Sequence, residues 1–255
     1  MNIDRKKALL DQMRGGLIVS CQTQPGDVIH DGTNTVVLMA KAAEWAGAVG
    51  IRSNSPEQVK AIHEAVNLPI IGLHKIKYDC LDDVIMTPTI EHAIALWEAG
   101  ARIIALDSTQ MLNHIGKPRC DLIPIIKKEL PEAIIFADID TYDNALHAIE
   151  LGADIVAPTM CGYTKATEGI EPPDLREFAR MCRDFKGRAE VIMEGHIYTP
   201  EDAMKAIYLG AHSVVVGSAI TRPQLITKRF VDLLGGLQDN WRDAEKTWTG
   251  ITTNA

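Results

Sequence analysis

The chain has 255 residues, of which 46% are apolar and 24% charged, and its formal net charge is −8 at pH 7. This composition is typical of a folded protein with a hydrophobic core, so it excludes disordered, collagen-like and coiled-coil chains. The acidic balance argues against a protein whose main ligand is the phosphate backbone of nucleic acid. The length suits one large domain or two small ones.

Three features bear on where the protein works. No apolar run approaches the roughly 18 residues that a membrane helix needs. The N-terminal sequence MNIDRKKALLDQMRGG lacks the apolar core of a secretory signal. The five cysteines include no CxxC pair, which indicates reduced thiols. We therefore expect a cytoplasmic protein that binds neither membranes nor nucleic acid.

Short runs rich in apolar and β-branched residues recur eight times along the chain. Such runs are typical of strands that are buried on both faces, as in a parallel sheet. In chain order, the predicted strands cover 16–22, 49–53, 69–75, 103–109, 133–139, 154–160, 190–196 and 213–219. Stretches with helical periodicity lie between them.

A repeated unit introduces every second strand. Thr89, Thr141 and Thr199 each precede a Gly-Ala pair by eleven residues, and a looser copy ends at 47–48. Each threonine can cap a helix that carries acidic residues in its first turn, and each glycine falls where a helix should end. Strands that alternate with helices in this way favour a single (β/α)₈ TIM barrel. An open doubly wound sheet is the competing fold, but no GxGxxG follows the first strand.

The barrel is predicted to cover residues 1–235, with an N-terminal helix at about 3–14. The segment 234–241 should separate the last barrel helix from a C-terminal tail at 236–255. Trp241 and Trp248 in this tail suggest that it docks onto the barrel or onto a partner subunit.

Polar residues at the C-terminal ends of the strands mark the candidate site, because TIM barrels place their active sites there. These residues are Gln22, Arg52, Lys75, Asp107, Ser108, Asp138, Glu194 and His196. Period-two alternation places apolar residues beneath three of them, namely Leu73 and Ile71, Phe136 and Ile134, and Ile192. Each polar residue alone could be a cap or a surface ion-pair partner. Together they predict a charged cup in which a lysine becomes usable as a base.

The end of the eighth strand predicts a phosphate site. Gly217 and Ser218 precede a segment that can open a helix, and backbone N–H groups at such a turn bind phosphate. Barrels often use strands seven and eight for this purpose, so Gly195 after strand seven is a further candidate. A tight turn that merely needs glycine is the alternative interpretation. No HxH, HExxH or GxSxG motif is present, so neither a catalytic zinc site nor a serine nucleophile is predicted.

Six segments of the chain are similar to one known family. They are SCQ at 20–22, GIRSN at 50–54, PIIGLHK at 69–75, FADIDT at 136–141, MEGHI at 193–197 and VGSAITRP at 216–223. With them the chain resembles the N-acylglucosamine-6-phosphate 2-epimerases over about 15–230. That family converts N-acetylmannosamine-6-phosphate to N-acetylglucosamine-6-phosphate in sialic acid breakdown.

The resemblance implies roles for five residues. Lys75 matches the acid/base lysine and Glu194 its partner carboxylate. Gln22, Arg52 and Asp138 match positions that bind the phosphosugar or support the lysine. The resemblance also implies that no metal, nicotinamide or flavin takes part, and that the protein is a homodimer.

The chain departs from the family pattern at a few positions. Ile76 and Lys77 follow the lysine, where Arg and Asp are usual; Asp140 replaces a serine, and His196 replaces an Arg or Lys. Two alternatives stay open at this stage. One is another phosphosugar barrel with enediolate chemistry, such as a keto-acid phosphate decarboxylase, which normally needs a metal-binding acid pair. The other is a non-catalytic barrel that binds a sugar phosphate.

Overall fold

The computed structural model describes residues 3–248, and the side chains of residues 5–235. The strands are β1 Leu17–Ser20, β2 Gly50–Asn54, β3 Ile70–Leu73, β4 Lys75–Lys77, β5 Val84–Met86, β6 Ile103–Asp107, β7 Ile134–Asp138, β8 Ile155–Ala157, β9 Glu190–Val191, β10 Met193–Glu194 and β11 Val214–Val216. The α-helices are α1 Ile3–Met13, α2 Asn34–Trp45, α3 Pro56–His63, α4 Ile90–Glu98, α5 Leu122–Glu129, α6 Tyr142–Glu150, α7 Leu175–Asp184, α8 Pro200–Tyr208, α9 Ser218–Thr221 and α10 Pro223–Trp248.

The main sheet closes into a barrel. Its strands are all parallel and follow the order β10-β11-β1-β2-β3-β6-β7-β8-β9. β9 and β10 are consecutive pieces of the predicted seventh strand, interrupted only at Ile192, so the two edges of the sheet meet within one strand. Each of the eight predicted runs contains a barrel strand. The prediction of a (β/α)₈ TIM barrel is confirmed.

The third strand differs from its prediction. The predicted run extends to Lys75, but β3 ends at Leu73, and Lys75 opens a two-stranded antiparallel hairpin formed by β4 and β5. The chain bends at His74, where Thr87 returns from the far end of the hairpin: the Thr87 N–H donates to the His74 carbonyl at 2.7 Å. The lysine therefore lies on an element that the sequence pattern does not predict.

Most of the predicted helix caps and helix ends are confirmed. The hydroxyls of Thr141 and Thr199 accept the third N–H of their helices, each at 3.2 Å, whereas the Thr89 hydroxyl contacts His92 Nδ1 at 2.9 Å instead. All four glycines of the repeat adopt positive φ, between 90° and 111°, immediately after a helix. Only glycine takes this conformation without strain, so the repeat records where helices end and the chain turns back to the barrel.

Apolar residues form two layers around the strands. The outer layer lies between strands and helices, and the inner layer fills the barrel. The predicted alternation beneath the polar strand ends is confirmed, because the inner layer contains Ile71, Leu73, Ile134, Phe136 and Ile192.

Helix α1 packs against the N-terminal end of the barrel. Met13 is fully buried in the inner layer, with Leu9 and Leu10 against it. Two hydrogen bonds tie this helix to distant parts of the chain: Lys6 Nζ donates to the Ala133 carbonyl at 2.6 Å, and His212 Nε2 lies 2.8 Å from the Leu10 carbonyl. The barrel is thus covered at this end, and its polar side chains gather at the other.

Helix α10 runs without interruption from Pro223 to Trp248. It passes through 234–241, where the sequence predicts a break, so that segment is helical. Whether residues 236–255 act as a separate tail stays a prediction, and the side chains of Trp241 and Trp248 lie outside the described residues. No helix in the described part of the chain is long and apolar enough to cross a membrane.

Candidate active site

A buried group of three charged side chains lies beneath the C-terminal mouth of the barrel. Arg52 at the end of β2 is 1% exposed, and its Nη2 lies 3.0 and 3.1 Å from the two carboxylate oxygens of Asp138 on β7. Its Nη1 lies 2.8 Å from Glu194 Oε2 on β10, an ion pair in which the N–H is not aligned for a hydrogen bond. Phe136 lies beneath the guanidinium, with the ring centroid 4.9 Å from Cζ. The convergence predicted from the strand ends is confirmed for these residues.

Burial changes the proton affinity of Glu194. Loss of water raises the pKa of this carboxyl group from 4.5 to about 7, because the Arg52 charge only partly offsets desolvation and the Asp138 charge adds to it. Glu194 therefore exchanges a proton near neutrality, which is the range in which a carboxyl group serves as a general acid or base.

Lys75 faces the same group from the hairpin. Burial lowers the pKa of its amine, and the Arg52 charge lowers it further, while Glu194 opposes the change. A lowered pKa gives more of the neutral amine at physiological pH, and only this form can accept a proton. The structure thus pairs an amine of lowered pKa with a carboxyl of raised pKa.

A cleft of about 570 Å³ lies above these residues at the barrel mouth. Seven of the eleven predicted site residues line it, namely Gln22, Lys75, Glu194, Gly195, His196, Gly217 and Ser218. Two more, Arg52 and Asp138, are covered and lie below the floor. Their position favours the supporting role that the resemblance allows, and their direct contact with a substrate stays a prediction.

One side of the cleft offers hydrogen-bond donors without partners. The backbone N–H groups of Gly195, His196 and Gly217 donate to no carbonyl of the described chain. Gly195 and His196 both have positive φ, 97° and 57°, so the chain turns sharply after strand β10. Beside Gly217, on the neighbouring strand β1, Ser20 accepts a hydrogen bond from Gln22 Nε2 at 2.8 Å, and Gln22 Oε1 has no hydrogen-bond partner.

Asp107 and Ser108 end the fourth predicted strand, but they do not line the cleft. Asp107 forms a buried ion pair with Arg119, whose Nη1 lies 2.6 Å from Oδ2, and it accepts the Thr109 hydroxyl at 2.8 Å. Ser108 donates to the Leu106 carbonyl at 3.2 Å. The expectation that these two residues belong to the site is therefore wrong. Their polar groups are used to anchor the loop after β6.

The structure also places two residues at the site that sequence reasoning missed. Thr159 lines the cleft and donates to Asp138 Oδ1 at 2.5 Å. Arg222 lines the cleft and forms an ion pair with Asp27 at 2.7 Å. Both follow barrel strands within a few residues, and this position is the signal that would have found them.

Comparison with known proteins identifies the family. A profile described as "Putative N-acetylmannosamine-6-phosphate epimerase" matches residues 36–235. The chain belongs to this family. A relative from Caldanaerobacter subterraneus subsp. tengcongensis, named "Putative N-acetylmannosamine-6-phosphate 2-epimerase", is 41% identical over 226 residues, which are 89% of this chain and 94% of the relative. One from Clostridioides difficile, with the same name, is 41% identical over 88% of this chain and 97% of its own length.

A solved structure shares the fold closely. The N-acetylmannosamine-6-phosphate 2-epimerase from Clostridium perfringens has a TM-score of 0.81 and 37% identity, and the match covers 88% of this chain and 96% of that one. The thiamine phosphate pyrophosphorylase from Pyrococcus furiosus, at 17% identity and a TM-score of 0.56, shows a similar fold only. The chain is thus a carbohydrate epimerase, an isomerase, by family.

Two departures from the epimerase pattern lie together. Asp140 and His196 both line a smaller cavity of about 150 Å³ beside Glu194 and Gly195. Asp140 is buried, and its carboxylate accepts hydrogen bonds from Thr164 Oγ1 at 2.7 Å and from Asn144 Nδ2 at 2.6 Å. The first of these hydrogen bonds holds the loop that follows β8. His196 Nε2 is buried and has no hydrogen-bond partner in the described structure.

Proposed function

We propose that the protein is a cofactor-independent epimerase that converts N-acetylmannosamine-6-phosphate to N-acetylglucosamine-6-phosphate. The observation that carries the proposal is that Lys75 and Glu194 line one cleft with pKa values shifted toward each other. The identity of the substrate is inferred from the family and from the names of its relatives. Amino-sugar catabolism, in particular sialic acid breakdown, and the cytoplasm are the proposed setting.

The proposed mechanism removes and replaces the proton at C2. In the open-chain sugar this proton is acidic, because the neighbouring C1 carbonyl takes up the charge as an enolate. Neutral Lys75 removes the proton from one face, and protonated Glu194 returns one to the other face. The charge on the enolate oxygen needs a donor, which protonated Glu194 or the Arg52 guanidinium beneath it would supply.

The test of the function is proton NMR of the purified protein with N-acetylmannosamine-6-phosphate in D₂O. We expect the gluco epimer to accumulate with deuterium at C2, because the returned proton comes from exchangeable groups. Activity should survive a chelator, which separates this reaction from a metal-dependent lyase. Binding without any exchange at C2 would instead support a barrel that senses the sugar phosphate.

The phosphate is proposed to bind at the turns after β10 and β11. Gly195, Gly217 and Ser218 line that side of the cleft, and Arg222 adds a positive charge. Each hydrogen bond to a charged group contributes about 1.5–3 kcal/mol, so three of them strengthen binding of the phosphate by roughly a thousandfold or more. The bound phosphate would orient the reacting carbon, which lies at the other end of the sugar.

Removing the phosphate from the substrate should therefore lower kcat/KM by about a thousandfold or more. The measurement compares N-acetylmannosamine with its 6-phosphate under identical conditions. Inorganic phosphate should inhibit the phosphorylated substrate competitively. Equal kcat/KM values for the two sugars would contradict a phosphate site at these turns.

The pH dependence should report Glu194. Its pKa is raised from 4.5 to about 7, so the group carries a proton below neutrality and loses it as the pH rises. We expect kcat/KM in the manno-to-gluco direction to pass through a maximum, because the reaction needs neutral Lys75 and protonated Glu194 together, and the rate falls on the alkaline side as the last proton leaves this pair. The residual rate of Glu194→Gln should lack this alkaline limb, because an amide does not titrate. A limb that persists in Glu194→Gln would belong to another group.

A homodimer is part of the proposal. Helix α10 leaves several large apolar side chains exposed, including Phe230 at 66% and Leu233 at 69%. An exposed apolar row of this kind commonly marks a protein contact. Light scattering of the purified full chain should give twice the mass of 28.0 kDa.

A further inference from the structure

The hairpin that carries Lys75 is held by a residue with no role so far. Lys75 lies outside the barrel sheet, since β3 ends two residues before it. Its backbone N–H donates to the side chain of Asn54, with a distance of 2.9 Å from Lys75 N to Asn54 Oδ1. Asn54 is the last residue of β2 and is only 8% exposed.

The local backbone explains why a side chain makes this contact. β2 and β3 pair in parallel as far as Asn54 and Leu73, and Ser55 N–H still donates to the Leu73 carbonyl at 2.8 Å. A regular parallel ladder would continue with Lys75 N–H donating to the Ser55 carbonyl. Ser55 instead has a φ of 68° and caps α3, so the chain turns away. The Asn54 amide oxygen takes the place of the missing carbonyl.

The same strand end also bears Arg52. Arg52 and Asn54 are two residues apart on β2, so their side chains leave the same face of the sheet. Arg52 pairs with Glu194, and Asn54 binds the backbone of Lys75. One strand end thus contacts both members of the proposed acid/base pair.

A second contact holds the hairpin independently of Asn54. The Thr87 hydroxyl accepts His74 N–H at 3.1 Å and donates to the Ala105 carbonyl of β6 at 2.6 Å. Loss of Asn54 would therefore leave the hairpin attached at its base, with the backbone at Lys75 no longer held to β2. The hairpin would remain folded while the lysine shifts relative to Glu194.

We propose that Asn54 is a positioning residue for Lys75, which it holds in place at the cleft so that its amine can reach the reacting carbon. This inference rests on the proposed epimerase function for its kinetic consequence only. Displacement of a reacting group by about 1 Å can cost on the order of a hundredfold in rate. Asn54 does not line the cleft, so substrate binding should be spared.

The kinetic test compares Asn54→Ala and Asn54→Asp with the wild type. We expect Asn54→Ala to lower kcat about ten- to a hundredfold at nearly constant KM. Asn54→Asp keeps an oxygen acceptor and should recover most of the activity, more so at higher pH, because its charge favours protonated Lys75. The control is Glu44→Ala; Glu44 Oε1 accepts the backbone N–H of Asn67 at 2.7 Å, at the opposite end of β3 from Lys75.

The second readout is independent of the substrate. Acylation of Lys75 by acetic anhydride, followed by mass spectrometry across a pH series, reports the fraction of neutral amine, with the 83% exposed Lys128 as internal reference. In Asn54→Ala the midpoint for Lys75 should rise toward the ordinary lysine value of 10.5, and in Glu44→Ala it should not move.

The outcomes separate the two proposals. If the wild type does not epimerise the sugar phosphate, the proposed function fails, and the labelling series still decides the role of Asn54. If Asn54→Ala retains both the wild-type kcat and the wild-type labelling midpoint, the positioning role is wrong. If Asn54→Ala does not fold, Asn54→Asp decides: a rate near that of the wild type at high pH supports an acceptor at this position, and loss of that rate at every pH overturns it.

Discussion

Lys75→Ala is expected to abolish epimerisation within the sensitivity of an NMR assay. General acid–base groups contribute about 10²–10⁴-fold to rate. No other lysine lines the cleft in the described structure, so no neighbouring amine stands ready to replace it. In D₂O the wild type should give deuterated gluco epimer, and Lys75→Ala should give neither epimer nor deuterium at C2.

The matched control for this variant is Lys77→Ala. Lys77 lies two residues further along the same hairpin strand, is exposed, and directs its amine to the Leu81 carbonyl. We expect it to leave kcat unchanged, which separates loss of the base from disturbance of the hairpin. Full activity of Lys75→Ala would place the base elsewhere in the cleft. Glu194→Gln should exchange deuterium into the manno sugar much faster than it forms the gluco epimer, because only the returning proton is lost.

Arg52→Met is expected to cause the largest loss of stability. The guanidinium is 1% exposed and faces both Asp138 and Glu194. Methionine fills similar space but leaves two buried carboxyl groups without their cation, and breaking a buried pair in this way costs about 3–5 kcal/mol. For a protein of this size the corresponding fall in Tm is roughly 10 °C. Differential scanning calorimetry measures it.

The loss of stability in Arg52→Met should depend on pH, and the direction of that dependence follows from the lost positive charge. Without Arg52 the pKa values of both carboxyl groups rise further above their unfolded values, because the cation that lowered them is gone. Ionising these groups in the folded state then costs more, so the deficit should grow as the pH rises and shrink toward acid pH. Arg183→Ala, which removes an exposed pair with Asp184, should leave the free energy of unfolding almost unchanged, because solvent screens such pairs. A deficit for Arg52→Met as small as that of Arg183→Ala would show that the buried pair adds no stability.

The barrel and the floor of its site could be predicted from the sequence, because both follow from local patterns. Eight continuous apolar runs specify eight buried strands, and closure of a parallel barrel brings their C-terminal ends together. Arg52, Asp138 and Glu194 therefore converge although 86 residues separate the first two. Only the strand assignment and the rule for where barrels place their sites were needed.

The hairpin that carries Lys75 could not be predicted, because the bend before it depends on contacts that are distant in the chain. His74 is held by Thr87, thirteen residues later, and Thr87 itself adopts a φ of 50°. No local pattern in the run 69–75 signals that interaction. Asp107 failed for the same reason, since its partner Arg119 lies twelve residues on and at the far side of a loop. A polar residue at a strand end has the same signature whether it faces the cleft or an internal cation.

The cover formed by α1 has a consequence for the order of folding. This helix is synthesised before the barrel strands, yet its hydrogen-bond partners lie 127 and 202 residues further along the chain. Closing such long loops costs chain entropy that nearby contacts do not recover. We therefore expect α1 to be among the last helices to dock, after β11 completes the cylinder. Until then Leu9, Leu10 and Met13 stay unburied, and the nascent chain depends on its surroundings to keep them from aggregating.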